Sequence, residues 1–152
     1  MQIQGSNFLV TGGGNGMGRT FTRELAKLGG NVYFCDLSEE AIADTEAECA
    51  DLPGNVKGMI ANVASEEDMH GFVTTAGDAM GGLNGIINNA GIIRDGRLVG
   101  KNRETGEPRP LSLKKWQQVI DVNLTGVFLG AREFAEYFIR NKGTDGVIVS
   151  IS

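Results

Sequence analysis

The feature that most constrains this chain is a run of glycines between an apolar segment and an amphipathic one. Residues 7–11 (Asn-Phe-Leu-Val-Thr) are typical of a buried strand, and residues 12–18 (Gly-Gly-Gly-Asn-Gly-Met-Gly) follow at once. Apolar side chains then recur at helical spacing, at Met17, Phe21, Leu25 and Leu28. A strand that enters a helix through a glycine loop is typical of the first unit of a parallel α/β sheet.

The same alternation continues to the end of the chain. Further strands are predicted at residues 31–36, 56–61, 83–88 and 146–151. Ser38 and Ser65, each followed by acidic residues, are candidate N-caps of the intervening helices, and residues 122–140 predict a long amphipathic helix. The apolar face predicted for this helix comprises Leu124, Val127, Phe128, Ala131, Phe134, Ala135 and Phe138. Residues 94–110 are predicted to be a polar surface loop, with 101–110 as an insertion.

This pattern predicts an α/β fold with a doubly wound, mostly parallel Rossmann sheet of five strands and helices on both faces. The 152 residues are enough for one domain, so residues 1–152 are expected to form a single dinucleotide-binding domain. The glycine loop lies where backbone N–H groups and a positive helix end meet, which suits a pyrophosphate.

Each glycine of the loop has a mechanical role. Gly12 allows a tight exit from the strand, Gly16 lets the backbone approach the phosphates, and Gly18 lets the helix pack closely. Asn15 and Met17, in the same loop, are also expected to contact the cofactor. The spacing Gly-xxx-Gly-x-Gly spans one residue more than the common Gly-x-Gly-x-x-Gly fingerprint, so the loop alone leaves a purely structural turn open.

Asp36 adds a second, independent signal for a dinucleotide. It ends the second strand 18 residues after Gly18, where a carboxylate can accept hydrogen bonds from the hydroxyls of an adenosine ribose. The same charge would repel a 2′-phosphate, and the next residue, Leu37, is expected to contact the cofactor and is not an arginine. The sequence therefore favours NAD over NADP as the cofactor, although a solvated Asp at a strand end is the alternative.

Three ordered motifs make the chain resemble the classical short-chain dehydrogenase/reductase family. They are the glycine loop, residues 88–91 (Asn-Asn-Ala-Gly) after the fourth strand, and residues 121–126 (Asp-Val-Asn-Leu-Thr-Gly) at the start of the long helix. The resemblance implies that Asn89, Ala90 and Gly91 contact the cofactor. It also implies that Asn62 and Val63, which stand where the family usually has Asp-Val, contact its adenine. Asn123 matches a catalytic Asn that kinks the helix and holds a water of the proton relay.

The chemistry implied by the resemblance is hydride transfer between nicotinamide and a secondary alcohol or ketone. Residues 90–96 are similar to the corresponding segment of 3-oxoacyl reductases and 3-hydroxyacyl dehydrogenases. The family's catalytic Tyr has a Lys four residues later, but Tyr137 has Asn141 at that position, so Tyr33 and Tyr137 are predicted to be packing residues.

The rest of the catalytic set is therefore expected after Ser152, in a longer parent chain of which this is a fragment. The alternative is a non-catalytic dinucleotide-binding module or sensor. The resemblance also implies a homodimer or homotetramer formed through helix 122–140.

Composition and charge argue against several other classes of protein. The net charge is −5 and the basic residues are scattered along the chain, so a nucleic-acid partner is not expected. Residues 1–10 lack the pattern of a signal peptide, and there is no apolar run of about 18 residues, so a cytoplasmic protein without a membrane span is expected. Cys35, Cys49 and His70 are too few and too dispersed to predict a disulfide or a metal site; both thiols are expected to be reduced and partly buried.

Overall fold

The computed structural model of the chain describes residues 2–94 and 96–152, and its centre is a five-stranded parallel sheet. The strands are β1 (Asn7–Thr11), β2 (Asn31–Asp36), β3 (Val56–Ile60), β4 (Gly85–Asn88) and β7 (Val147–Ser150). Their order is β3-β2-β1-β4-β7, and every neighbouring pair is parallel. The predicted doubly wound sheet is confirmed, and the strand order reverses between β1 and β4.

Helices connect successive strands of this sheet. They are α1 (Gly16–Lys27), α2 (Glu39–Cys49), α3 (Glu66–Met80), α4 (Leu113–Ile120) and α5 (Gly126–Arg140). The two predicted caps are confirmed, because the Ser38 hydroxyl accepts a hydrogen bond from the Ala41 N–H and the Ser65 hydroxyl accepts one from the Asp68 N–H. Within the described ranges, no helix is both long and apolar enough to cross a bilayer.

The alternation of side chains along the strands builds a core on each face of the sheet. Leu9 of β1 lies in a core with residues of α3 and α5. Its neighbours Phe8 and Val10 lie in a second core on the opposite face, against Phe21 and Leu25 of α1. Because both faces are covered, β1 is apolar without interruption, as is usual for a central parallel strand.

The predicted loop 94–110 is only partly a loop. It contains a short antiparallel hairpin, β5 (Val99–Lys101) and β6 (Pro108–Pro110), and α4 follows directly. Helix α4 was not predicted, although Leu113, Trp116 and Ile120 recur at helical spacing; none of its residues is buried. The long helix therefore begins at Leu113 rather than near residue 122, and a π-helical turn (Asp121–Thr125) joins α4 to α5.

The predicted apolar face of α5 is wrong in part. Phe134 is buried, but the side chains of Leu124 and Phe128 are 62% and 58% exposed. The face that packs inward instead includes Gly126 and Gly130, which lack side chains and let the helix approach Val63 and Asn88 closely. Helix α5 thus carries apolar residues on two faces, and only one of them contacts the sheet.

The cysteines are more deeply buried than predicted. Cys35 and Cys49 are both free and almost inaccessible, at 0% and 2% exposure. Burial raises the pKa of the Cys35 thiol to about 12, so this thiol remains protonated at neutral pH.

Candidate functional site

A cleft of about 400 Å³ opens at the carboxyl ends of the strands, where the order reverses between β1 and β4. In an open parallel sheet this is the position at which ligands bind. The predicted cofactor contacts that line it are Gly12, Asn15, Gly16, Met17, Asp36, Leu37, Asn62, Val63, Asn89, Ala90 and Gly91. Cys35, Ala61, Ile92 and Val122 complete the lining and were not predicted. Of the predicted contacts, only Gly18 lies outside the wall.

The backbone of the glycine loop shows why glycine is needed there. Gly12 and Gly16 have φ angles of +66° and +52°, in the left-handed region that disfavours other residues. A Cβ on Gly12 would lie 3.0 Å from the Ala90 Cα. A Cβ on Gly18 would overlap the Gly12 carbonyl and lie 2.6 Å from the Asn89 amide nitrogen. Gly18 therefore acts from behind the loop, by letting α1 pack against it.

The N-terminus of α1 differs from those of the other helices that begin in a loop. Its N-cap, Asn15, makes no side-chain hydrogen bond to the first turn, and that turn contains no acid. Helices α2, α3 and α4 are each capped by a serine, and the first turns of α2 and α3 also carry acids. The N–H donors and positive end of α1 consequently face the cleft without a protein anion, as a site for a phosphate would require.

Asp36 is fixed at the lip of the cleft by three backbone donors. Its Oδ2 accepts a hydrogen bond from the Gly14 N–H at 2.9 Å, and its Oδ1 accepts from Leu37 at 2.8 Å and Ser38 at 3.2 Å. A carboxylate has about four acceptor positions, so at least one remains for a ligand hydroxyl. The glycine loop and the end of β2 thus hold the negative charge in one place.

The turn after β4 is bound to the end of β1 through Thr11. The buried Thr11 hydroxyl accepts hydrogen bonds from the N–H groups of Asn89, at 3.0 Å, and Ala90, at 3.1 Å. In return, the Asn89 side-chain amide donates to the carbonyls of Thr11 and Gly12. This role of Thr11 was not predicted, although a hydroxyl at the end of an apolar strand, beside a glycine loop, was the available signal.

Asn62 and Val63 form the far wall of the cleft, after β3. Asn62 is exposed; its side-chain oxygen accepts a hydrogen bond from the Ala64 N–H at 3.0 Å, and its own N–H donates to Asp68 at 2.8 Å. This N–H and the Ser65 hydroxyl lower the pKa of Asp68. Val63 is buried, and a Cβ on Gly126 would lie 2.9 Å from it, so it locates α5 against the cleft.

Comparison with known proteins identifies the family. A sequence model described as short chain dehydrogenase matches residues 6–152. The chain belongs to the short-chain dehydrogenase/reductase family.

Individual relatives agree with this assignment. The chain is 32% identical to a 3-oxoacyl-[acyl-carrier-protein] reductase of Thermotoga maritima, over all of this chain and 57% of that protein. It is 37% identical to a 3-alpha-(or 20-beta)-hydroxysteroid dehydrogenase of Mycobacterium tuberculosis, over 86% of this chain and 45% of that protein. The solved structure of a metagenomic short-chain oxidoreductase in complex with NADP superposes with a TM-score of 0.81, at 27% identity, over all of this chain and 64% of that one. The chain spans about half the length of the curated relatives it matches.

In this chain, Asn123 lies beside the cleft rather than in its wall. Its side-chain oxygen accepts a hydrogen bond from the Ile92 N–H at 2.8 Å, and its amide donates to the Ile92 carbonyl at 3.0 Å. Asn123 is in the π-helical turn, where the helix departs from regular α geometry. The side chain therefore fixes Ile92, which is part of the cleft lining.

The two tyrosines pack as predicted, away from the cleft lining. Tyr137 is buried on α5, and its hydroxyl donates to Asp78 of α3 at 3.0 Å. Burial and the bond to Asp78 raise its pKa. Tyr33 contacts Phe72 with ring centroids 6.3 Å apart. Among residues 2–94 and 96–152, no cluster of His, Cys, Asp and Glu suited to a metal ion is found.

Proposed function

We propose that this chain is the NAD-binding part of an oxidoreductase that transfers hydride between nicotinamide and a secondary alcohol or ketone. The observation that carries the proposal is the pairing of Asp36 with the uncapped N-terminus of α1 across one cleft. A fixed carboxylate suits ribose hydroxyls, and a helix end without a protein anion suits a pyrophosphate. Family membership favours this enzyme over a non-catalytic binding module.

Each wall of the cleft has a role in this proposal. The glycine loop and the first turn of α1 would hold the pyrophosphate, Asp36 the adenosine ribose, and Asn62 the adenine through its exposed amide. Residues 89–91 would pass beside the cofactor, because the small Ala90 and Gly91 leave room for it. When bound, the nicotinamide supplies or accepts the hydride.

Asn123 would contribute to the proton relay by positioning rather than by contact with substrate. Both polar atoms of its side chain are bonded to the Ile92 backbone. The group available to the proton relay would therefore be the backbone of the π-helical turn around Asn123, because its carbonyl groups depart from the regular helical pattern.

The partners proposed are a small alcohol or ketone and further copies of the same chain. The names of the two curated relatives, an oxoacyl reductase and a hydroxysteroid dehydrogenase, share ketone and alcohol chemistry. Leu124 of the π-helical turn and Phe128 and Ile139 of α5 are exposed apolar residues on the helix through which a homodimer or homotetramer would form. A cytoplasmic location is part of the same proposal.

Substitution of Asp36 tests the cofactor assignment. In the complete polypeptide that contains this chain, D36A should weaken NAD binding by about 10-fold or more, because it removes a charged acceptor, while NADP binding weakens less or improves. Calorimetric titration with each dinucleotide measures the ratio. Asp51→Ala, at an exposed position after α2, is the matched control and should leave both affinities unchanged. An unaltered ratio of NAD to NADP affinity in D36A would show that Asp36 does not select the cofactor.

A further inference from the structure

The basic residues of this chain are concentrated in one segment. Residues 94–115 contain seven of its 14 lysines and arginines but three of its 19 acids, so this segment has a net charge of +4 and the remaining residues −9. The even spread assumed in the sequence analysis is therefore wrong. The β5–β6 hairpin and the start of α4 form a positive surface on an otherwise negative molecule.

Three of these cations line one hollow. Arg97, Arg109 and Lys115 surround a space of about 190 Å³, together with Ser112. Among the salt bridges in the described part of the chain, none involves these three residues. Like charges held close together repel, and an oxyanion between them would remove that repulsion. Arginine is well suited to the role, because its planar fork pairs with carboxylate and phosphate oxygens.

This basic hollow is connected to the cofactor cleft through a second, apolar hollow. The apolar hollow, of about 350 Å³, is lined by Ile93, Trp116 and Val119 and includes Asn123. It shares Ile92 with the cleft and Lys115 with the basic hollow. The three spaces therefore follow one another in the order cleft, apolar hollow, basic hollow.

The direction in which a dinucleotide would lie in the cleft puts its nicotinamide end near Ile92, where the cleft meets the apolar hollow. Asp36 and Asn62 lie at the ends of β2 and β3, so the adenosine belongs on that side of the sheet. The other end of an extended dinucleotide must then lie past β4, toward Ile92. A substrate bound there would extend away from the cofactor through the apolar hollow and reach the three cations.

We propose that the substrate is an alcohol or ketone with an apolar body and an oxyanion, either carboxylate or phosphate, held by Arg97, Arg109 and Lys115. This inference rests on the proposed oxidoreductase function. It adds the charge and the shape of the substrate, which the cofactor cleft does not determine.

The test compares charged and neutral forms of the same ketone, using the complete polypeptide with NADH. The carboxylate arm is levulinate and its longer homologues, each against its methyl ester; the phosphate arm is dihydroxyacetone phosphate against dihydroxyacetone. We expect at least one charged form to exceed its neutral partner about 10-fold in kcat/KM. In the double variant R97Q/R109Q the ratio should fall toward one, whereas R103Q, on the same hairpin but outside the hollow, should retain it. Calorimetric binding of the preferred anion should weaken in parallel, independently of turnover.

The outcomes separate this inference from the function on which it rests. If the wild-type protein binds neither NAD nor NADP, the proposed function fails. If it binds the cofactor and reduces ketones without preferring any charged form, or if R103Q removes the preference as fully as R97Q/R109Q, the anion site is refuted and the oxidoreductase stands. Retention of an acidic protein by the wild type but not by R97Q/R109Q, without discrimination among the ketones, would likewise overturn the small-molecule proposal.

Discussion

The cofactor cleft on one side of Ile92 and residues 96–118 on the other side are built in different ways. On one side, the glycine loop, Asp36 and the turn after β4 are held by hydrogen bonds between side chains and backbone, next to buried strands. On the other side, residues 96–118 are mostly exposed, and α4 has no buried residue. Under the proposed function, the cofactor would be recognised by a rigid loop and turn, whose shape can change only at a cost in stability. The substrate would be recognised by exposed side chains, which can be substituted with little effect on stability.

The largest expected effect is at Gly18, on the cofactor side. In G18A the new Cβ overlaps the Gly12 carbonyl, so the loop must move, and the free energy of unfolding should fall by about 3 kcal/mol. Dinucleotide binding should be lost with the shape of the loop. Urea denaturation and calorimetry measure the two effects.

The control for this prediction is Gly71→Ala, also at a helical glycine. Apart from its own helix backbone and chain neighbours, no atom of the described residues lies within 4 Å of a Cβ on Gly71, so this variant should be neutral or more stable by up to about 1 kcal/mol, since alanine is the better helix former. If G18A were as stable as G71A and bound dinucleotide normally, the close packing of α1 on the loop would not be the constraint described above.

A smaller effect is expected from Thr11, which joins β1 to the turn after β4. T11V keeps the shape of the side chain but leaves the N–H groups of Asn89 and Ala90 without their acceptor, so we expect a loss of about 2 kcal/mol and weaker NAD binding. Thr22 is an equally buried threonine whose hydroxyl has no partner among the described residues, and T22V should be neutral or stabilising. Equal losses in the two variants would exclude a specific role for the Thr11 hydroxyl.

The anchor of α5 on α3 should produce a pH dependence of stability. Burial raises the pKa of Glu133, but hydrogen bonds from His70 and Arg132 outweigh it and lower this pKa below its ordinary value of 4.5. Its contribution is therefore complete above pH 4.5 and is lost as the pH falls through the lowered value. E133Q should lose about 1 kcal/mol at pH 7 and show a weaker decline of stability below pH 4.5 than the wild type. Parallel pH profiles of the two proteins would contradict this.

The smallest effect is expected on the exposed side. Leu98 is 82% exposed, so L98A should change the free energy of unfolding by less than about 0.5 kcal/mol. L9A, which removes a fully buried side chain from the core, should cost about 3 kcal/mol or more in the same denaturation experiment. A large loss in L98A would mean that the hairpin contributes to the folded core, and the contrast between the two sides would fail.

The predictions that succeeded rest on local signals. The alternation of strands and helices, the caps Ser38 and Ser65, and the grouping of residues from Gly12 to Gly91 around one cleft were all predicted from short motifs. The β5–β6 hairpin was missed because its three-residue strands are too short to show an alternating pattern, and α4 was missed although Leu113, Trp116 and Ile120 recur at helical spacing. The inward face of α5 was misjudged because Gly126 and Gly130 pack by having no side chain, whereas the apolar Leu124 and Phe128 remain exposed.

The sequence by itself determined the parallel sheet, the position of the cleft and the family, because glycine conformation, capping and strand periodicity act within a few residues. Only the tertiary structure decided which distant groups meet. It showed that the Thr11 hydroxyl bonds the Asn89 backbone and that the Asn123 side chain bonds the Ile92 backbone. It also showed that Arg97, Arg109 and Lys115 line one hollow, next to an apolar one. These contacts join residues far apart in the chain, and their geometry depends on how strands and helices pack rather than on any local pattern.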